Sequence, residues 1–242
     1  MSINLPQINY GKLKGRVEDE QNIVYYRRGL EELSLNVTNA CPNACAFCIR
    51  DRDLGWGVSN LYLSRDPSAE EIMQAYDEES EKILALGVDI KKIKICGYGE
   101  PILRFEDLKP IARHIRERDS NDNLEIQVTT TGWPYFRFIS PDARRISELK
   151  EAGVSHIYLS VNALDKKNYD KLVRPGINEI DNDAFSDALK FGAGAKKAGL
   201  DVTLGFIRLG KITNEKVKSF AERYGMRYRL RDFEEYNGRN IC

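Results

Sequence analysis

Histidine, unpaired charge and long apolar runs are what this sequence lacks. Its 242 residues hold 2 histidines, and 37 Lys and Arg balance 37 Asp and Glu for a formal net charge of +0. A bulk electrostatic grip on nucleic acid is therefore not indicated, although a local basic patch stays open. No apolar run is long enough to span a bilayer, and the N-terminal MSINLPQINYGKLKGRVEDE has no signal-peptide core. The expected location is cytoplasmic and reducing, with no membrane partner. The 5 cysteines are odd in number and clustered, so they do not form a disulfide framework. With 42% hydrophobic and 31% charged residues the chain has material for a core, and its length suits one large domain.

Residues 1–30 read as a lead-in segment with a possible strand at Asn22–Tyr26, and residues 31–242 as the core domain. In the core, apolar runs alternate with helical stripes. Strands are expected at Leu33–Thr38, Lys92–Cys96, Leu124–Thr129, Ser155–Val161, Asp201–Ile207 and Met226–Leu230. Helices are expected from about Asp66 to Gly87, with Leu84 and Leu86 in the buried stripe, and over Phe105–Arg118, Pro141–Ala152, Asp183–Lys197 and Asn214–Tyr224. Six strands alternating with five helices imply a parallel sheet, either doubly wound or a whole or partial barrel. No G-x-G-x-x-G follows the first of them, so a dinucleotide site has no direct support. Ligands in such folds gather at the C-terminal ends of the strands. Each unusual motif falls at such an end: CPNACAFC, GYGEP, TTTG and SVNA.

Cys41, Cys45 and Cys48 are spaced C-x3-C-x2-C. Thiolates favour zinc or iron–sulfur clusters, and structural zinc wants a fourth ligand. His114 lies inside a helix, and His156 opens a strand at the end away from the motifs. Cys96 ends a strand, where a buried thiol is the ordinary reading. Cys242, the last residue, reads as an ordinary chain end. Trp56 reads as packing over the cysteine loop or as a substrate wall.

The cysteine spacing, with Phe47 before Cys48, resembles the signature of the radical S-adenosylmethionine (SAM) superfamily. Gly97-Tyr98-Gly99-Glu100-Pro101 resembles that family's GGEP element, with Tyr98 between the glycines. Thr129–Gly132 resembles its T-x-G element and Ser160–Ala163 its S-x-N element. The resemblance covers roughly residues 33–230. Within the family, LSLNVTNACPNACAFCIR, CGYGEPILR and GMRYRLRDFEEYN look most like the short TatD-associated radical SAM proteins.

The resemblance implies a partial (β/α)6 TIM-like barrel of parallel strands in a single α/β domain. It implies a 4Fe–4S cluster on Cys41, Cys45 and Cys48 and one iron left to chelate SAM. Electron transfer to SAM then yields a 5′-deoxyadenosyl radical that abstracts hydrogen from an unidentified substrate, without a general base. The implied cofactor-binding residues are Phe47, Gly97, Gly99, Glu100, Thr130, Ser160, Asn162, Arg174 and Ile207. In this reading glycine backbone approaches the SAM ammonium and Glu100 adds an acceptor. Ser160 and Asn162 touch the ribose and methionine end, and Ile207 lies at the adenine. Phe47 packs on the adenine or shields the cluster. Arg174 pairs with a carboxylate or is merely solvated. No catalytic residue is assigned.

The implied partners are a flavodoxin- or ferredoxin-like electron donor and a substrate that is a protein or a small molecule. Nucleic acid is not the expected partner. In the strand at Met226–Leu230, Arg227 and Arg229 read as pointing out and Met226, Tyr228 and Leu230 as pointing in. Two alternatives remain: an activase that makes a glycyl radical on a protein partner, and a non-catalytic zinc or iron–sulfur module using Cys96 as fourth ligand.

Overall fold

The computed structural model describes residues 22–27, 29–48, 61–119, 121, 123–176, 183–209 and 212–232. Trp56, Cys242 and most of the segment 1–30 lie outside them.

The strands are β1 (Val24–Arg27), β2 (Glu32–Asn36), β3 (Lys92–Cys96), β4 (Glu125–Thr130), β5 (His156–Ser160), β6 (Asp201–Arg208) and β7 (Arg227–Asp232). They form one sheet in sequence order, β1 to β7. β1 runs antiparallel to β2, and every later pair is parallel. A doubly wound sheet reverses its order at a switch point. This one never does, so the doubly wound alternative falls and an open barrel arc remains. Six parallel strands agree with the expectation. The antiparallel β1 adds a seventh, so part of the lead-in segment belongs to the sheet.

The helices are α1 (Ala69–Ala85), α2 (Phe105–Arg118), α3 (Ser147–Glu151), α4 (Lys166–Val173), α5 (Ala184–Lys197) and α6 (Asn214–Tyr224). α1 starts at a reciprocal cap: Glu71 N–H donates to Ser68 Oγ at 3.2 Å, and Ser68 N–H donates to Glu71 Oε2 at 2.8 Å. Its buried stripe is Ile72, Tyr76 and Ile83. Leu84 and Leu86 are exposed, so the expected stripe was drawn too long. The single helix expected over Pro141–Ala152 is instead a 3₁₀ turn at Ala143–Ile146 running into the short α3. It is preceded by a π turn at Tyr135–Ile139. The break begins where Asp142 accepts the Arg144 N–H at 2.9 Å, a local cap inside the expected helix. α4 was not expected. It has two buried residues, Tyr169 and Val173, among charged ones, and Asp165 caps it through Asn168 N–H at 2.9 Å. No helix among the described residues is long and apolar enough to cross a membrane.

Period-two alternation divides the arc into two faces. Leu33, Leu35, Ile93, Ile95, Ile126, Val128, Ile157 and Leu159 pack under the helices in one large apolar core. The opposite, lumen face is polar: Ser34, Lys94, Gln127, His156 and Tyr158 are all buried there. An open arc needs an apolar filling only on its helix side. The lumen is left with groups that can meet a ligand.

Candidate active site

β2 delivers the chain into the cysteine loop, and polar clamps hold the loop's entry. Thr38 Oγ1 donates to Asp66 at 2.8–2.9 Å and accepts the Ala40 N–H at 2.9 Å. The Asn39 amide spans Leu63, donating to its carbonyl at 2.5 Å and accepting its N–H at 3.2 Å. Further along, the loop lies against the end of α4. Ala46 N–H donates to Leu172 O at 2.8 Å, Ala44 N–H to Arg174 O at 3.1 Å, and Gly176 N–H to Pro42 O at 2.7 Å.

Cys41, Cys45 and Cys48 are half-buried thiols. They line a pocket of about 160 Å³ at the C-terminal ends of β2–β5 and β7. Phe47, Gly97, Gly99, Glu100, Thr130, Ser160 and Asn162 line it too. Segments from four loops thus converge on the cysteines, as the placement of the motifs led one to expect.

Two candidates stand elsewhere. Ile207 is fully buried in a second apolar cluster with Phe47, Trp133, Tyr169 and Val173, behind the pocket wall. Arg174 ends α4 in the left-handed conformation, φ 50°. Its side chain is exposed, with Nε 3.4 Å from Lys171 O, and is not part of the pocket wall. Arg174 contributes its carbonyl, which anchors the cysteine loop.

The glycines of GYGEP serve close approach between protein segments. A Cβ on Gly99 would lie 2.3 Å from Thr38 O and 2.6 Å from Ala40 O, both backbone atoms that cannot swing aside. A Cβ on Gly97, at φ 135°, would lie 2.0 Å from Asn36 Oδ1. The motif is seated against the cysteine loop, and Glu100 N–H donates to Ala40 O at 2.7 Å.

Glu100 is buried and takes four donors. Ile102 N–H and Thr130 Oγ1 donate to Oε1 at 3.1 and 2.5 Å; Thr131 N–H and Thr131 Oγ1 donate to Oε2 at 2.8 and 2.6 Å. Burial pushes its pKa up, and these hydrogen bonds pull against that shift. The carboxylate ties the β3 loop to the β4 loop. An acceptor role toward a ligand would compete with four protein donors.

Four residues at the pocket were missed in the sequence. Asn43 is buried and bridges three segments. Its Nδ2 lies 3.7 Å from Cys41 Sγ and 3.3 Å from Thr131 Oγ1, and its Oδ1 accepts Trp133 Nε1–H at 2.9 Å. Lys94, Tyr158 and Arg231 rise from the lumen face into the pocket. The Arg231 guanidinium carbon lies 5.7 Å from the centre of the Tyr158 ring. In β7, Arg227 and Arg229 are exposed, as the alternation of the strand implies, while Arg231 on the same face is buried at the pocket.

The donor chemistry suits an iron–sulfur cluster. Three soft thiols share one pocket, and its wall offers Asn162 Oδ1, a buried acceptor without a partner among the described residues. Asn162 also holds φ 57°, a conformation asparagine tolerates at a cost. Among the described residues no three His, Cys, Asp or Glu side chains converge on a single metal ion. A cluster of several irons accepts thiols set further apart than one ion does. Cys96 does not line the pocket; its Sγ is 3.5 Å from the Tyr25 hydroxyl. The module with Cys96 as fourth ligand finds no support in this placement.

The sequence matches the model of the radical SAM superfamily over residues 35–224. The chain belongs to that superfamily. The family's cofactors are a 4Fe–4S cluster and SAM, and the cysteine triad with the loops around it is where this member would hold them. Among curated relatives, the GTP 3′,8-cyclase of Aliarcobacter butzleri is 25% identical over 213 residues, 87% of this chain and 57% of its own length. That of Limosilactobacillus fermentum is 30% identical over 181 residues, 74% of this chain and 47% of its own. The chain thus spans about half the length of these relatives. Among solved structures, a radical SAM methyltransferase from Sphaerobacter thermophilus aligns with a TM-score of 0.53 at 15% identity, covering 86% of this chain and 68% of that one. Streptococcus suis SuiB aligns with a TM-score of 0.58 at 14% identity, covering 84% and 39%. At such identities the likeness speaks for the fold alone.

Proposed function

We propose that this radical SAM protein is an enzyme that cleaves SAM reductively and uses the product to abstract hydrogen from a substrate. The observation that carries the reading is the convergence of Cys41, Cys45 and Cys48 with the ends of β3, β4 and β5 on one pocket. Bound together, the reduced cluster and SAM supply a carbon radical strong enough to break an unactivated C–H bond. The chain's own residues do the rest: three thiolates hold the cluster, Phe47 keeps water from it, and Asn162 and Ser160 offer hydrogen bonds to SAM.

Residues 31–242 form the catalytic unit in this proposal, with β1 as an accessory strand. The electron comes from a low-potential donor of the flavodoxin or ferredoxin kind, in a reducing, cytoplasmic setting. The narrower likeness to the TatD-associated proteins is part of the same proposal. The relatives' names specify GTP, but a chain that spans about half their length does not inherit their substrate.

Anaerobic reconstitution with iron and sulfide tests the metal side. Wild type and Cys96→Ala take up about four irons and four sulfides per chain, and Cys45→Ala does not. Uptake that depends on Cys96 would revive the non-catalytic module.

A further inference from the structure

Beneath the cysteine pocket the lumen opens into a second cavity, of about 540 Å³, toward the N-terminal ends of the strands. That volume lies in the usual range for small-molecule sites, about 300–1,000 Å³. Its wall is charged, and most of the charge is internally matched. Arg27 pairs with Glu32 at 3.2 Å, Lys92 with Glu125 at 2.8 Å, and Lys91 with Glu31 at 2.5 Å.

Two cations of this wall have no ion-pair partner among the described residues. Lys94 is 3% exposed, lines the cavity, and forms no ion pair among the described residues. Arg229, on β7 at the far side of the arc, is an exposed side chain that lines the cavity and forms no ion pair among the described residues. Both acids of the wall, Glu32 and Glu125, are already engaged. Tyr158 stands between the cations, and its buried hydroxyl also lacks a partner among the described residues. Lys94 and Tyr158 line both cavities, so whatever they hold lies against the floor of the cysteine pocket.

We propose that this basin is the substrate site and that the substrate is a small molecule carrying an oxyanion, a carboxylate or a phosphate, held between Lys94 and Arg229. The word substrate rests on the radical SAM reading above; the anion site itself does not. An ammonium and a guanidinium on opposite walls clamp one oxyanion by charge-assisted hydrogen bonds, and the Tyr158 hydroxyl supplies a third donor.

The test is calorimetric titration of the full chain, purified anaerobically, at fixed low ionic strength. The probes are pyrophosphate and succinate. One of them binds, and its identity separates a phosphate from a carboxylate. Lys94→Met and Arg229→Met each weaken that binding about tenfold or more, as expected for loss of a hydrogen bond to a charged group, while Lys94→Arg retains it. Circular dichroism checks that each variant is folded. Failure of the wild type to bind either probe, or equal affinity in wild type and both Met variants, overturns the assignment. The titration contains no SAM, so its result is independent of the cleavage assay. Anion binding without SAM cleavage sinks the cofactor reading alone, and cleavage without anion binding sinks this one alone.

Discussion

Thr131 is bound twice to Glu100: its backbone N–H and its hydroxyl both donate to the same carboxylate oxygen, at 2.8 and 2.6 Å. With Thr130 and Ile102 on the other oxygen, this buried carboxylate fastens the loop after β3 to the loop after β4. Glu100→Gln keeps the volume but turns an NH2 group toward donors. The expected cost is about 2–3 kcal/mol, the scale of lost charge-assisted hydrogen bonds with a buried donor left unmet. Urea unfolding of the variant measures it. A change under about 0.5 kcal/mol, the size of an ordinary surface substitution, would mean that the clamp is not structural.

Gly99→Ala attacks the seat of the same motif from the other side. The added methyl meets Thr38 O and Ala40 O, which are backbone. Crowding of this kind costs about 1–3 kcal/mol. Because those carbonyls belong to the segment entering Cys41, iron content after reconstitution is expected to fall along with stability. Wild-type iron content and an unchanged unfolding midpoint would contradict the close-packed seat.

Asn43→Ala strips the Trp133 indole N–H of its acceptor and Cys41 of a neighbour. A buried donor left unsatisfied costs about 1–3 kcal/mol. Thermal unfolding together with tryptophan fluorescence reports it. Asn43→Asp, which keeps the acceptor for Trp133, is expected to recover part of the loss. If Asp and Ala are equally destabilised, the indole bond is not the reason.

Acid stability has an identifiable contributor at the lumen mouth. Burial raises the Glu125 pKa, but His156 and Lys92 outweigh burial and hold it down to about 2. A carboxyl depressed in the folded state adds stability above its unfolded pKa of 4.5 and loses it as pH falls toward 2. The stability gap between wild type and Glu125→Gln is therefore expected to shrink as pH drops from 5 to about 2. Urea midpoints across that range check the sign. A gap that widens on acidification would refute it.

Much of this arrangement was legible in the sequence. The β–α rhythm gave six parallel strands, with Lys92–Cys96 and Phe105–Arg118 matching to the residue. The motifs converge on one pocket because they stand at strand ends, where a parallel arc gathers them. The misses have local causes. α4 has two buried residues in eight, too weak a stripe to notice. Asn43 has no signal of its own in the sequence, because its role depends on Trp133, 90 positions away. Lys94, Arg229 and Arg231 alternate as polar residues do on any half-buried strand. Only the curvature of the sheet decides that this polar face looks into a lumen rather than into solvent. The Arg174 side chain is exposed, one of the two alternatives the sequence left open, and the backbone carbonyl that anchors the cysteine loop carries no sequence signal.

The central claim is that three cysteines and the loops around them support reductive cleavage of SAM. The most direct measurement is 5′-deoxyadenosine by mass spectrometry after anaerobic incubation of the reconstituted protein with dithionite and SAM. The account predicts product from wild type and from Cys96→Ala, and none from Cys45→Ala. A wild-type protein that holds its iron and sulfide yet forms no 5′-deoxyadenosine would contradict it.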